Sequence, residues 1–255
     1  MTIIQAVILG MVEGVTEFLP ISSTGHLILF GDLLGITDSH FTTSFNIAIQ
    51  LGAILAVVVL YWKRFLSGVE TWKKVFAAFI PTAILGFLLY KIIKGFLLSN
   101  SLLVVWSLLL GGIALIAFEM WYKRRSIDIS QEITYKKSFA IGVAQALAII
   151  PGVSRSGATI VGGLLMGIKR ETIVEFSFLL AVPTMAAATA YDLYKNATSF
   201  SFSEFHILAV GFVISFIVAI LAIKWLLQFI KNHTFIAFGV YRIVVALAFW
   251  LLVVR

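Results

Sequence analysis

The sequence predicts an all-α integral membrane protein with an inverted-topology repeat, each half a re-entrant helix hairpin followed by three transmembrane helices. Three observations predict it. The mean hydropathy is +1.06, with 61% of the 255 residues hydrophobic and 12% charged, against roughly 45–50% apolar and about 25% charged in soluble domains. Apolar runs such as 102–120 and 207–223 approach the ~18–20 residues that cross a bilayer. Two polar, proline-broken segments also recur at a fixed spacing along the chain.

The first of these begins at Ile3–Leu19, an apolar stretch interrupted by Glu13 and Glu17 and stopped by Pro20. Proline lacks the amide that continues a helix ladder. Ser22 reads as the N-cap of a short helix over Ser23–Leu34. Three spanning runs follow, at about 44–62, 75–93 and 101–121. The second broken segment is Phe139–Ile150, then Pro151-Gly152-Val153, then Ser154–Met166, with spans after it at about 172–193, 205–227 and 235–254. An arm of about 14 residues rises only about 21 Å, short of a ~30 Å hydrocarbon core. Each pair of arms is therefore expected to form a re-entrant hairpin whose tip lines a polar cavity at membrane depth.

The halves resemble each other. Gly10-Met-Val-Glu13 precedes Gly142-Val-Ala-Gln145 by 132 residues, and Ser22-Ser-Thr-Gly25 precedes Ser154-Arg-Ser-Gly157 by the same 132. Pro20 matches Pro151 with a one-residue slip. The expected repeats are 1–130, with its hairpin at 3–36, and 131–255, with its hairpin at 136–168, together forming one integrated membrane domain. An odd number of spans inverts the second copy, so the two tips are expected to meet near the midplane.

Composition excludes several classes of chemistry. The chain has no cysteine and only four histidines, so it has no disulfide framework, no thiolate and little for a histidine-rich metal cage. The net charge of +7 sits in short clusters between apolar runs, which orients a membrane protein rather than binding nucleic acid. Thirteen cations, among them Lys63, Arg64, Lys123, Arg124, Arg125, Lys136 and Lys137, fall on one side, and four, Lys91, Lys94, Lys195 and Arg255, on the other. The richer side is expected to be cytoplasmic. The first hairpin then opens outward and both termini lie outside.

Glu13 and Glu17 stand four residues apart on one helix face. A charged group at membrane depth costs at least ~2.5–3.5 kcal/mol, so intramembrane acids read as functional by default and need a proton, a metal ion or an arginine. Arg155, between Ser154 and Ser156 at a helix start, adds a guanidinium to free amides and the positive end of the helix dipole, a combination that suits phosphate. Thr159 lies on the same face. A structural reading stands beside this one: Ser154 caps the helix and Arg155 pairs with Glu13 or Glu17. Ser22, Ser23, Thr24 and His26 form the matching tip of the first hairpin. Ser23 needs a base to become a nucleophile, and His26, Glu13 or Glu17 could serve. Gln145 takes the place of Glu13 in the second repeat and reads as polar glue between helices, and Arg242 lies inside the last span.

Two stretches carry a family resemblance. Glu13-Gly-Val-Thr-Glu17-Phe-Leu-Pro-Ile-Ser-Ser-Thr-Gly-His26 and Pro151-Gly-Val-Ser-Arg-Ser-Gly-Ala-Thr159 resemble the two signatures of the BacA-type undecaprenyl-diphosphatases, the bacitracin-resistance family. The resemblance implies hydrolysis of undecaprenyl diphosphate to the monophosphate and inorganic phosphate, which the charge pattern would place at the outer face of a bacterial cytoplasmic membrane. It implies recycling of the carrier lipid for cell-wall synthesis and removal of the target of bacitracin. It also implies dependence on a divalent cation, and gives roles to Glu13, Glu17, Ser23, His26, Ser154, Arg155 and Thr159.

The expected arrangement places Mg²⁺ or Ca²⁺ on Glu13 and Glu17. Arg155, with Ser154, Ser156, Thr159 and Ser22, binds the substrate phosphate. Ser23, His26 or an activated water attacks. The expected partners are the lipid diphosphate and the bilayer, with the oligomeric state open and a homodimer one candidate. The competing class is a polyprenyl-phosphate transporter or flippase, which shares inverted repeats, broken helices and a midplane site.

Overall fold

The computed structural model describes residues 1–36, 40–92, 101–125, 129–130, 132–195 and 205–251. The chain is an all-α membrane protein. Its helices, in order, are α1 (Ile3–Thr16), α2 (Ser23–Leu33), α3 (His40–Leu60), α4 (Trp62–Ser67), α5 (Val69–Ile92), α6 (Ser101–Lys123), α7 (Tyr135–Ala146), α8 (Arg155–Leu165), α9 (Arg170–Lys195), α10 (Phe205–Phe229) and α11 (Ile236–Phe249). Among the described residues the only β-type pairing is a single bridge, in which Ser130 N–H donates to the carbonyl of Gly167 at 2.7 Å and Lys169 N–H to that of Ser130 at 2.9 Å.

Among the described residues five helices are long and apolar enough to cross a membrane: 41–64, 69–89, 101–123, 170–191 and 205–229. The sequence predicts a sixth span at 235–254. Its described α-helical part, α11, has 14 residues, a rise of about 21 Å. It passes into a π turn at Trp250 and Leu251, and residues 252–255 lie outside the described chain. Lys94 and Arg255, used above to orient the chain, also lie outside it.

Both short-armed segments are broken helices, as their prolines predict. α1 ends at Thr16, a turn before Pro20, and a tight turn over 17–21 leads to Ser22. The second arm starts earlier than its apolar run, at Tyr135, because Thr134 caps α7 by accepting from Lys137 N–H. It ends in a 3₁₀ turn over Leu147–Ile149 before Pro151. Ser22 and Ser154 are the N-caps of α2 and α8, accepting from the amides of Gly25 and Gly157 at 3.4 and 3.1 Å. They are also the described non-glycine residues with positive φ, 73° and 79°, a conformation that costs energy outside glycine. The two tips are thus built on one plan.

Small residues let the arms sit deep among the long helices. α1 packs against α10, and α7 against α5. A Cβ added to Gly10 would come within 2.8 Å of the carbonyl of Gly211, and one on Gly14 within 2.7 Å of that of Ser215. A Cβ on Gly142 would overlap the carbonyl of Ala78. Such small-xxx-small seams replace the hydrophobic effect, which does not drive helices together in lipid. The central apolar cluster, including Phe18, Phe178, Leu164, Ile173 and Phe235, lies around the two tips.

Polar pairs join helices away from the tips, the first of them buried at Glu119. Glu119 of α6 receives both terminal nitrogens of Arg170 at the start of α9, one of them at 3.0 Å, and the amide of Phe235 at 3.0 Å. Arg64 meets Glu175 at 2.8 Å. Asp32 accepts from the Ser101 hydroxyl at 3.0 Å.

Candidate active site

The two hairpin tips touch. The Ser156 hydroxyl, on the first turn of α8, donates to the carbonyl of Leu19 at 2.7 Å. Across this contact Arg155 Nη2 donates to Glu17 Oε1 at 2.7 Å, while the Ser23 hydroxyl donates to Glu17 Oε2. Glu17 therefore joins a hydroxyl of one tip to the guanidinium of the other. Arg155 also donates from Nη1 to the carbonyl of Ser177 at 2.8 Å and lies over the ring of Phe18, 5.8 Å from its centroid. Its Nε–H finds no acceptor among the described residues. The guanidinium has five N–H groups, so Arg155 keeps donors in reserve.

Glu13 lies one turn away on α1. It is fully buried, and neither carboxyl oxygen has a hydrogen-bond partner among the described residues. A bare buried carboxyl is costly, and here it faces the same junction as Glu17. Among the described residues no three His, Cys, Asp or Glu side chains gather as a complete metal cage. Two carboxylates completed by substrate phosphate and water are nevertheless a usual donor set for Mg²⁺. The all-oxygen pair with one unpartnered member fits such an ion.

The remaining predicted residues are buried at the tips with partners of their own. The Ser22 and Ser154 hydroxyls cap helices, and the Ser154 hydroxyl lies 3.3 Å from that of Ser156. The Thr159 hydroxyl lies 2.6 Å from that of Ser177 and within 3.1 Å of the Arg155 carbonyl. His26 does not reach Ser23 or the glutamates through any hydrogen bond among the described residues. Its Nδ1 lies 2.7 Å from the Ser22 carbonyl and its Nε2 3.0 Å from the Tyr241 hydroxyl. Gln145 donates to the hydroxyls of Thr82 and Thr184 at 2.8 and 3.3 Å, tying α7 to α5 and α9.

Arg242 is the residue whose part the sequence conceals. It is 2% exposed. Its Nε donates to the carbonyl of Leu108 at 3.4 Å, Nη1 to those of Pro20 and Val153 at 3.3 and 2.9 Å, and Nη2 to those of Ser107 and Gly152 at 3.0 and 2.8 Å. All five donors meet backbone oxygens, three of them in the two tips. A Cβ on Gly111 would collide with this guanidinium, so glycine there makes room for it. Arg242 is a saturated bracket on the tips, whereas Arg155 has donors left for a ligand. Ser177 and Tyr241, like Arg242, lie within apolar runs of their helices, and only their polarity there could have drawn notice.

This Arg242 geometry gives a testable result. Arg242→Ala orphans the carbonyls of Pro20, Gly152 and Val153, each worth about 1–3 kcal/mol when buried. A loss of at least about 3 kcal/mol is expected in unfolding measurements in detergent. Arg242→Lys, with three donors, should fall between. An unchanged unfolding temperature for the alanine variant would contradict the bracket.

The chain is similar to known proteins along nearly its whole length. A family profile described as "Bacitracin resistance protein BacA" matches residues 6–248, which include both tips and Arg242. The chain belongs to the BacA family. Among its relatives, an undecaprenyl-diphosphatase of Sulfurihydrogenibium sp. (strain YO3AOP1) is 57% identical over 253 residues, covering 98% of this chain and 99% of that protein. One from Aquifex aeolicus (strain VF5) is 56% identical over 250 residues, 98% of each. One from Campylobacter jejuni subsp. jejuni serotype O:6 is 46% identical over 252 residues, 98% of this chain and 94% of that protein.

Proposed function

We propose that this BacA-family chain hydrolyses undecaprenyl diphosphate to undecaprenyl phosphate and inorganic phosphate. The observation that carries the reading is the Ser23–Glu17–Arg155 junction: a hydroxyl hydrogen-bonded to a carboxylate, beside an arginine with unused donors. The names of the relatives support the same substrate.

Arg155, aided by the free amides at the start of α8, takes the terminal phosphate. Ser23 Oγ attacks its phosphorus while the Ser23 proton passes to Glu17. The Oγ–P bond forms, the bridging P–O bond breaks, and the lipid monophosphate leaves. Water then cleaves the phosphoserine and releases inorganic phosphate. His26 is less suited to attack, since both ring nitrogens are engaged. Ser154, Ser156, Thr159 and Ser22 shape the phosphate site through the helix caps and tip contacts they hold. A Mg²⁺ or Ca²⁺ ion, for which Glu13 and Glu17 are the residues that fit, would neutralise phosphate oxygens. Positioning and charge neutralisation supply most of the rate, as in phosphoryl transfer generally.

The reading extends to the cell. The hairpins form an inverted repeat, with halves 1–130 and 131–255, and the site opens to the outside of the cytoplasmic membrane with both termini there. Two features support the repeat: the matched serine caps, and the exchange in which α1 lies on α10 and α7 on α5. The product is the recycled carrier lipid of cell-wall synthesis, and its formation removes the target of bacitracin. The bilayer and the lipid are the partners. The paired tips also favour a second reading, translocation of a polyprenyl phosphate.

The deciding test is release of inorganic phosphate from undecaprenyl diphosphate by the purified protein. Lipid movement across vesicles without phosphate release would favour the transporter. Sidedness is tested separately. Ser39 and Ser126, which the charge pattern places on opposite sides, lie outside the described residues, so Asp32 and Asn232, both exposed, serve instead. The chain has no cysteine of its own. In intact cells Asp32→Cys should react with an impermeant thiol reagent, and Asn232→Cys only after the membrane is opened. The reverse pattern would invert the topology.

A further inference from the structure

The first tip carries a side-chain lock that its counterpart lacks. In α2, the amide of His26 donates to the carbonyl of Ser22 at 3.2 Å, the ordinary helix bond, and Nδ1 of the same residue lies 2.7 Å from that carbonyl. A carbonyl only accepts, so the proton sits on Nδ1. In a neutral ring Nε2 is then an acceptor, and the Tyr241 hydroxyl, 3.0 Å away, donates to it. The two rings lie parallel within 7°, with centroids 5.5 Å apart. The equivalent position in the second tip, 132 residues on, is Ala158. There the carbonyl of Ser154 receives the helix amide alone, at 3.0 Å.

Both tips pass through a positive-φ serine, but the first also presents Ser23, the next residue, to Glu17. A one-residue swing of the strained Ser22 would carry Ser23 away from its carboxylate. We propose that Tyr241 is a positioning residue: through its hydroxyl it holds the His26 ring so that Nδ1–H pins the Ser22 carbonyl and fixes the tip that carries Ser23. α11 thus serves the site with two successive residues. Arg242 holds the tip backbones, and Tyr241 sets the tautomer and orientation of the histidine. The proposal rests on the phosphatase reading of the site, and its structural part stands apart from it.

The variant is Tyr241→Phe, which keeps the ring and its packing and removes one hydroxyl. The expected result is a fall in kcat of about five- to tenfold, the weight of one positioned hydrogen bond, with KM within about twofold and an unchanged unfolding temperature. With only four histidines in the chain, ¹⁵N-labelled histidine spectra, assigned with His26→Asn, report the ring directly. Wild type should show one ring protonated at Nδ1 with a hydrogen-bonded Nε2, and Tyr241→Phe should shift that Nε2 signal. Wild-type kcat in Tyr241→Phe would overturn the proposal, and so would a lowered kcat with the His26 signals unmoved. A lower unfolding temperature with kcat per folded molecule unchanged would make Tyr241 merely structural and also overturn it. If the wild-type protein releases no phosphate, the phosphatase reading fails, and the spectra still decide whether Tyr241 holds His26.

Discussion

Glu17→Gln and Arg155→Ala are each expected to lower phosphate release by at least about 10²-fold in protein that still folds and inserts. Removing one positioned charge from a transition state costs about 2.7–4 kcal/mol, and each of these residues serves the junction in two ways. Arg155 offers its unused donors to phosphate while its Nη2 holds Glu17 in place. Glu17 receives the Ser23 hydroxyl and balances Arg155. Glutamine keeps the length and an acceptor oxygen but neither the charge nor the basicity that draws the proton from Ser23. Arg155→Lys should recover little, because a single ammonium cannot reproduce the planar fork. The check is phosphate release per folded molecule, with folding followed by unfolding temperature. Near-normal turnover by Glu17→Gln or Arg155→Ala would remove that residue from the site.

Much of this arrangement is legible in the sequence because the relevant residues violate their surroundings. Proline and glycine between short apolar arms announce broken helices, and the serines after them announce caps, both of which the structure contains. Two acids and an arginine in apolar segments need one another. Glu17 and Arg155 do meet across 138 residues of chain. The sequence does not say which acid Arg155 chooses, because Glu13 and Glu17 share a face and differ by one turn. Arg242 defeats a search for acids, because its partners are carbonyls, which every residue carries. Hydroxyls take partners that the sequence does not reveal. Ser156 and Thr159 look like free phosphate ligands in the sequence, yet one spans the tips to Leu19 and the other meets Ser177. The sixth span is read at 235–254 because apolar composition continues past the end of the described helix, and hydropathy alone does not register where α-helical bonding gives way to a π turn.

Chelation is expected to abolish phosphate release, and Mg²⁺ or Ca²⁺ to restore it. Glu13 is a fully buried carboxyl whose two oxygens have no hydrogen-bond partner among the described residues. One turn away, Glu17 has both oxygens engaged. If Arg155 alone were there to neutralise the acids, it would be expected to divide its donors between them, yet among the described residues its bonds reach only Glu17, Ser177 and Met185. A hard cation would suit two carboxylates and a diphosphate, and the absence of cysteine from the chain gives softer metals no thiolate. Glu13→Gln should therefore raise the concentration of Mg²⁺ needed for half-maximal activation by at least about tenfold, the weight of one lost charged ligand. It should barely change binding of the isoprenoid tail, which rests on apolar contacts. In the rival scheme Glu13 is a general base, and turnover resists chelator and follows the ionisation of a carboxyl group. Metal analysis of the purified protein and turnover in excess EDTA separate the two. Full activity with no metal present would assign Glu13 to proton transfer.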